Sequence, residues 1–548
     1  MSQRVATLTH VTNCHSANYK GGMTKRIGTK KSNFIVKTGF LVLLSVAGTV
    51  AAADTRVLTD AAWREDIETV VTTIHDAHPR PFRSIDKNTF DDSARQLVEA
   101  VAGLSDKEII VRLAALVALV DDGHTRLSIP REHPAIGLEF GHTATPEPEH
   151  PALRFRQLPL AFEQFEDGVY VVAADSKHEH LIGHRLASID GTPTAAAMEA
   201  VRAITFAEND QLDGLMGADR LSLPEALLAL GVTHSADTID LELVDEKDVT
   251  SSVSVKPLPS GPLEWGGAFI KGATPLRLAN PEAKFWSEYI GERNAVYMQM
   301  DEIADGDIPL AEFVTNTLNE AISKNARLII DVRNNFGGSG GLNRTLVTSI
   351  IRSDSLNQYG RTFVLVGRRT FSAAQMLVNE LEQYTRVTIV GEPTGSRPDS
   401  FGDPRKVRLK NSGLTLRVSR LHWSSYMAFD ERESTVPDFV ANWTSKDYFA
   451  GDDPALNLAL SLESVSLKSL LRGALSRGDM QQIERHTLNS KLSADSYRND
   501  FSALLLELGD EFEAADKIET ADLTYQVGLY FYPDHKGLQS ALESLAER

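Results

Sequence analysis

The sequence predicts a multidomain α/β protein, and three observations carry that prediction. Residues 290–450 alternate strand and helix patterns in the order that builds a parallel or mixed sheet covered by helices. Residues 135–257 show short strands separated by turn signals, and both flanks of the chain carry apolar residues at helical spacing. At 548 residues, 42% hydrophobic and 24% charged, the chain is long enough for several cores.

Residues 1–53 have the layout of a secretory signal peptide. Lys25-Arg26, Lys30-Lys31 and Lys37 precede an apolar run from Gly39 to Val50, and Ala51-Ala52-Ala53 stand before Asp54. The run is short and rich in small residues for a membrane span, although an uncleaved anchor has the same order of parts. A start at Met23 would give the basic segment a more ordinary length. Cleavage after Ala53 is expected, and with it a periplasmic or secreted location. It removes seven Lys/Arg and no Asp/Glu, taking the net charge from −19 to −26. The single cysteine, Cys14, leaves with it, so the mature chain has no thiol nucleophile and needs no disulfide. Such an acidic chain excludes nucleic acid as the main partner, because phosphate binding needs a basic face.

Residues 54–125 read as an N-terminal helical domain. Ile67, Val70, Val71 and Ile74 recur at helical spacing, as do Leu97, Val98, Val101 and Leu104, and a further run extends from Ile109 to Val120. Asp121-Asp122-Gly123-His124-Thr125 breaks the helix before a short strand at Arg126–Ile129. Residues 126–260 form a β-rich module. It contains strands at Gly168–Ala173 and Asp237–Val244, a strand and tight Asp-Gly turn within Gly183–Pro193, and a helix at Ala195–Val201.

The α/β core is placed at residues 261–452. Strands are expected at Ala295–Met300, Leu328–Val332, Thr362–Val366 and Val387–Val390, with helices at Pro309–Lys324 and Ala373–Tyr384. Residues 453–548 return to helix, with Gly509 a stop signal after Leu504–Leu508, a helix at Ala521–Tyr530, and another at Gly537–Ala546. These helices resemble tetratricopeptide-type pairs, about one and a half units without a clear repeat period.

Two segments of the core carry chemistry. Thr370-Phe371-Ser372-Ala373-Ala374-Gln375 joins a strand to a helix, so Ser372 stands at the mouth of that helix. Unpaired N–H groups and the positive dipole end there suit a nucleophile whose attack creates an oxyanion, which the Ala373 N–H would bind. By position alone, an N-cap is the more common role for such a serine. The second segment, Asp331-Val332-Arg333-Asn334-Asn335-Phe336-Gly337-Gly338-Ser339-Gly340-Gly341, follows a buried strand with a glycine cluster that lets backbone approach a ligand. It lacks the Lys-Ser/Thr ending of a phosphate-binding loop, which argues against nucleotide.

Together these segments resemble the C-terminal processing (tail-specific) serine protease family, which includes the tricorn-type peptidases. Val390-Gly391-Glu392-Pro393-Thr394-Gly395 and Val436-Pro437-Asp438 extend the resemblance, which covers roughly residues 110–450. It implies a crotonase-like, tail-specific protease core, with Ser372 as nucleophile and Gly337 or Gly338 joining Ala373 as oxyanion donors. Gln375 stands where the family carries an acid. Arg397 stands where the Ser-Lys branch carries its lysine, and arginine stays protonated, so it cannot be the base. The resemblance is therefore closer to the tricorn-type Ser-His branch. His124 matches the histidine of that branch, and a neutral imidazole can take and return the Ser372 proton. The third group in that branch is a glutamate downstream of the serine. Glu431 and Glu433 lie in that region and Glu433 is preferred, although Asp430-Glu431-Arg432-Glu433 also reads as a solvated charge cluster.

The β-rich module resembles a PDZ domain through Leu186–Pro193, with Ile136-Gly137-Leu138-Glu139-Phe140-Gly141 an approximate carboxylate loop. The expected function is an exported serine peptidase acting on a protein or peptide substrate through a Ser372 acyl-enzyme. The alternative is a catalytically inactive peptide-binding scaffold on the same fold. The C-terminal helices suggest a protein partner or self-association. No cofactor and no metal is expected, since His142 and His150 lie in a Pro/Glu-rich loop without ligand spacing.

Overall fold

Helical spacing at the N-terminal flank becomes three helices in the computed structural model, which describes residues 56–133, 150–259, 265–266, 274–424, 430–492 and 501–547. The signal-peptide region and the Ile136–Gly141 segment lie outside the described residues. The Asp60–Ala77 helix is capped by Thr59 and buries Trp63, Ile67, Val70 and Ile74. Asp86 caps Lys87–Ala100, and Ser105 with Glu108 forms a capping box on Asp106–Ala118. The chain leaves this last helix through Asp121, whose φ is +58°, and Arg126–Leu127 then pairs antiparallel with Leu416–Arg417.

The β-rich stretch is an antiparallel sheet in the order Leu160–Phe165, Gly168–Asp175, Arg185–Ile189, Ile239–Val244, Thr250–Val255. The Asp190-Gly191 turn, both residues at positive φ, folds Thr192–Pro193 back onto Arg185–Ile189 and leads into the Thr194–Arg202 helix. One or two helices were expected in this module and one was placed; the structure adds Asp210–Arg220 and Pro224–Ala229. Residues Leu212–Leu227 are buried throughout, Asp213, Asp219, Arg220 and Glu225 among them, so their polar residues mark no exposed helical face.

The central sheet has six strands in the order Phe439–Val440, Thr388–Gly391, Thr362–Val366, Arg327–Asp331, Ala295–Met300, Phe285–Ile290. All pairings are parallel except the last, where Phe285–Ile290 runs antiparallel to Ala295–Met300. Alternation along these strands separates two faces. Val296, Met298, Leu328, Ile330 and Val364 pack against the helices Leu310–Ser323, Asn343–Ile351 and Ala373–Tyr384. Tyr297, Ile329, Phe363 and Leu365 pack against Ala455, Leu456 and Ala459 of the Pro454–Ser461 helix and against Leu470. The four short strands Asp399–Gly402, Arg405–Arg408, Thr415–Val418 and Leu421–Ser424 had no clear alternating pattern, and form small antiparallel pairs between the sheet and the N-terminal helices.

Helices Leu467–Arg477, Met480–Leu492, Ser502–Ala514, Ile518–Phe531 and Lys536–Ala546 complete the chain around a third apolar cluster. Gly509 does not stop its helix. It sits mid-helix under the ring of Tyr525, where a Cβ would come within 2.1 Å of a ring carbon. Among the described residues, no helix is long and apolar enough to cross a membrane.

Candidate active site

Ser372 follows the turn that leaves the Thr362–Val366 strand and directly precedes the Ala373–Tyr384 helix. Its backbone has φ +56° and ψ −122°, a conformation costly for a residue with a Cβ. Surrounding bonds hold it there. Thr370 Oγ1 donates to the Val332 carbonyl and accepts from Gly367 N–H, and Phe371 N–H donates to the Asn335 carbonyl at 3.0 Å. The Ser372 side chain makes no capping bond to its helix, so the hydroxyl is not an N-cap. Instead its Oγ lies 2.9 Å from Nε2 of His124.

The Asp122–Thr125 turn places that imidazole. His124 N–H donates to Asp122 Oδ1 at 3.0 Å, and the ring stacks on Phe371 at 4.5 Å between centroids. Gly123 permits the stack, because a Cβ there would stand 2.6 Å from two ring carbons of Phe371. Asp122 is buried, and its Oδ2 meets His78 Nε2 at 3.2 Å and accepts from the Thr125 and Ser419 hydroxyls. Burial pushes its carboxyl up, but the His78 bond, the charge of His124 and the two hydroxyls hold it well below the usual range. Burial pushes His124 down to about 4, a shift that Asp122 partly opposes. The imidazole is therefore neutral at ordinary pH, with Nε2 able to accept the Ser372 proton.

The Asn335–Ser339 turn faces the same hydroxyl. Gly337 and Gly338 have φ of +112° and +134°. A Cβ on Gly337 would stand 2.9 Å from Ala373 N and 3.1 Å from Ser372 Oγ, filling the space in front of the helix end. The Gly337 N–H itself donates to Asn335 Oδ1 at 2.8 Å. It is therefore not free to bind an oxyanion, and the sequence-based assignment of Gly337 as donor is corrected. Its contribution is the open space. The Gly338 and Ala373 N–H groups have no partner among the described residues.

Glu433 is not brought to His124. Its carboxylate binds Arg397, with Oε2 2.7 Å from Nε and 2.6 Å from Nη2, while Arg397 Nη1 reaches Asp121 at 3.1 Å. Nδ1 of His124 is buried without a hydrogen-bond partner, and the carboxylate oxygen that approaches it is Asp122 Oδ1 at 4.0 Å. Asp122, not Glu433, is the acid beside His124, and Glu433 is paired with Arg397. Gln375 points into the interior, donating to Asn379 and to the Thr435 hydroxyl. Sequence reasoning missed His78, Phe371 and the part of Asp122. Only Asp122 left a signal, an acid two residues before the histidine in a turn. Among the described residues, no group of three or more His, Cys, Asp or Glu is arranged to hold a metal ion.

No protein-family model matches the sequence, and no curated protein is similar to it in sequence. Solved structures do match. The crystal structure of mature CPAF is 14% identical with a TM-score of 0.50, covering 77% of this chain and 98% of that one. Mature CPAF complexed with lactacystin also has a TM-score of 0.50 at 14% identity, covering 74% and 98%. A photosystem II D1 C-terminal processing protease is 14% identical over 73% of this chain and 99% of its own, with a TM-score of 0.35. At these identities the likeness speaks of architecture alone: the chain shares the fold of mature CPAF.

Proposed function

We propose that this protein is a serine peptidase of the C-terminal processing type, hydrolysing peptide bonds through a Ser372 acyl-enzyme. The observation that carries the reading is the 2.9 Å approach of His124 Nε2 to Ser372 Oγ, across 248 positions of sequence, on a serine held at positive φ. An inactive scaffold leaves that backbone strain without a use. In the reaction, His124 Nε2 takes the Oγ proton as Oγ attacks the substrate carbonyl carbon. The oxyanion is bound by the N–H groups of Ala373 and Gly338 at the positive end of the helix. The imidazolium, facing Asp122, returns its proton to the leaving amine, and water activated by the same imidazole then releases the acyl group.

The surrounding parts extend the reading. The antiparallel sheet with its Asp-Gly turn and following helix would serve as a PDZ-like module for extended peptides. The C-terminal helices would serve as a tetratricopeptide-like contact for a protein partner or a second copy. The N-terminal segment would direct export to the periplasm or beyond. A serine-directed fluorophosphonate is expected to label Ser372 in the folded protein, and Ser372→Ala to abolish both labelling and peptide cleavage. Absence of labelling together with unchanged cleavage by Ser372→Ala would overturn the reading.

A further inference from the structure

A cavity of about 290 Å³ lies between the Leu160–Phe165/Gly168–Asp175 strand pair and the turns at the carboxyl ends of the central strands. It contains none of Ser372, His124, Gly337 or Gly338. Phe162, Val172 and Leu215 supply apolar wall, and Arg277 and Trp443 supply a polar edge. The guanidinium of Arg277 stacks on the Trp443 ring, 3.6 Å from its centroid.

Three other arginines line the cavity, and each has an acid. Arg333 is held by Asp331 and Asp453, both at 2.6 Å. Arg368 reaches Glu163 at 3.1 Å and Glu392 at 3.5 Å, and Arg369 reaches Glu163 at 3.7 Å. Arg277 differs. It is 7% exposed, yet it donates no hydrogen bond and has no acid within ion-pair distance among the described residues. Its Nε is fully enclosed without an acceptor, as is Nε1 of Trp443 beside it. Burial pulls Arg277 down to about 10, and the charge of Arg333 adds to the effect, while the more distant charges of Asp453 and Asp331 oppose it. Asp301 feels the charge of Arg277 without bonding to it, and burial pushes that carboxyl up to about 7. A buried cation with idle donors is costly unless an anion meets it.

We propose that this cavity is a carboxylate-binding site, in which the Arg277 guanidinium, braced by its stack on Trp443, holds the anion and the apolar wall takes the group attached to it. A planar carboxylate matches the guanidinium fork, and the Phe162–Leu215 wall favours an anion that carries carbon rather than an inorganic one. The carboxylate comes either from a small organic acid or from the end of a peptide. The site also touches both turns that build the catalytic arrangement. Arg333–Asn334 continue into Asn335, Phe336 and Gly337, and Gly367–Arg369 continue into Thr370, Phe371 and Ser372. An occupant braces the two turns together.

Binding is tested by calorimetry on the Ser372→Ala protein, so the result does not depend on whether the protein cleaves peptides. The probes are 3-phenylpropionate, its amide, and a phenylalanine-ending tetrapeptide with a free or an amidated C-terminus. A carboxylate probe is expected to bind at least about tenfold more tightly than its amide. Arg277→Gln is expected to remove at least about tenfold of that affinity. Discrimination within the small-acid pair identifies a free acid as ligand, and discrimination within the peptide pair alone identifies a peptide end. Each of these supports the site. Equal affinity within both pairs, or no binding by any probe, overturns it. So does unchanged carboxylate affinity in variants whose melting curves show them folded. If Arg277→Gln does not fold, Arg277→Lys, which keeps the charge and loses the fork, takes its place with the same expected loss.

Discussion

Ser372 and His124 set the residue-scale expectations. Removing either the nucleophile or its base is expected to lower kcat by at least about 10³-fold, measured on a peptide substrate. Because burial holds His124 down to about 4, kcat/KM should rise with pH through about 4 and be flat above 6. An acid limb centred near the ordinary histidine value of about 6.5 would contradict this. The same shift bears on stability. Between the unfolded histidine value and 4, the unfolded chain binds the extra proton, so this contribution is complete above the former and is lost as pH falls through the latter. Asp122→Asn should lower kcat by about 10²- to 10⁴-fold with little change in KM. It should also move the acid limb lower still, because the Asp122 carboxylate now raises the His124 value. Gly337→Ala should abolish fluorophosphonate labelling, since its Cβ would occupy the space 2.9 Å from Ala373 N, and thermal melting would show whether the fold survives.

At the scale of elements, the site is a meeting of three turns: Asp121–Thr125, Asn335–Ser339 and Gly367–Ser372. Arg397 ties the first of them to the segment carrying Glu433. Glu433 is largely exposed, so part of that pairing is screened by solvent. Arg397→Ala is expected to cost about 1–3 kcal/mol in urea unfolding, mainly through Asp121, and to lower kcat by loosening the turn that aims His124. Arg397→Lys should not create a Ser-Lys enzyme, because His124 already occupies the hydroxyl at 2.9 Å. Its activity should still disappear on His124→Ala, a double-variant assay that separates the two base assignments.

For the whole molecule, the connection between the sheet and the C-terminal helices rests on a buried charge cluster. Asp438 lies next to the short Phe439–Val440 strand. It meets Arg485 at 3.1 Å and His486 at 3.0 Å from the Met480–Leu492 helix, each about 1% exposed. Burial pushes Asp438 up, but Arg485 and the His486 bond hold it far below the usual carboxylate range. Arg485→Ala would leave a buried carboxylate with one partner fewer, and should destabilise the protein by about 3–5 kcal/mol by denaturant unfolding. Since the Pro454–Ser461 helix also covers one face of the central sheet, loss of the C-terminal helices should bring down the sheet rather than leave it intact.

Local pattern made most of the elements legible. The period-2 and period-3.6 stretches of the central sheet and its helices, the Asp-Gly turn at residue 190, and a serine at a strand-to-helix junction all depend on residues near one another in the chain. The helices between Asp210 and Ala229 stayed hidden because their charged residues are buried with the apolar ones and mark no exposed face, and Gly509 misled because its reason is the Tyr525 ring packed against it. The sequence by itself determined which residue types were on hand: a serine before a helix, a glycine turn, a histidine in an acidic turn, and an arginine at residue 397. Only the tertiary structure decided which of them meet. It gave Glu433 to Arg397, turned the Gly337 N–H toward Asn335, and set Asp122 beside His124, because distance in space between far-apart turns is settled by packing and not by spacing along the chain.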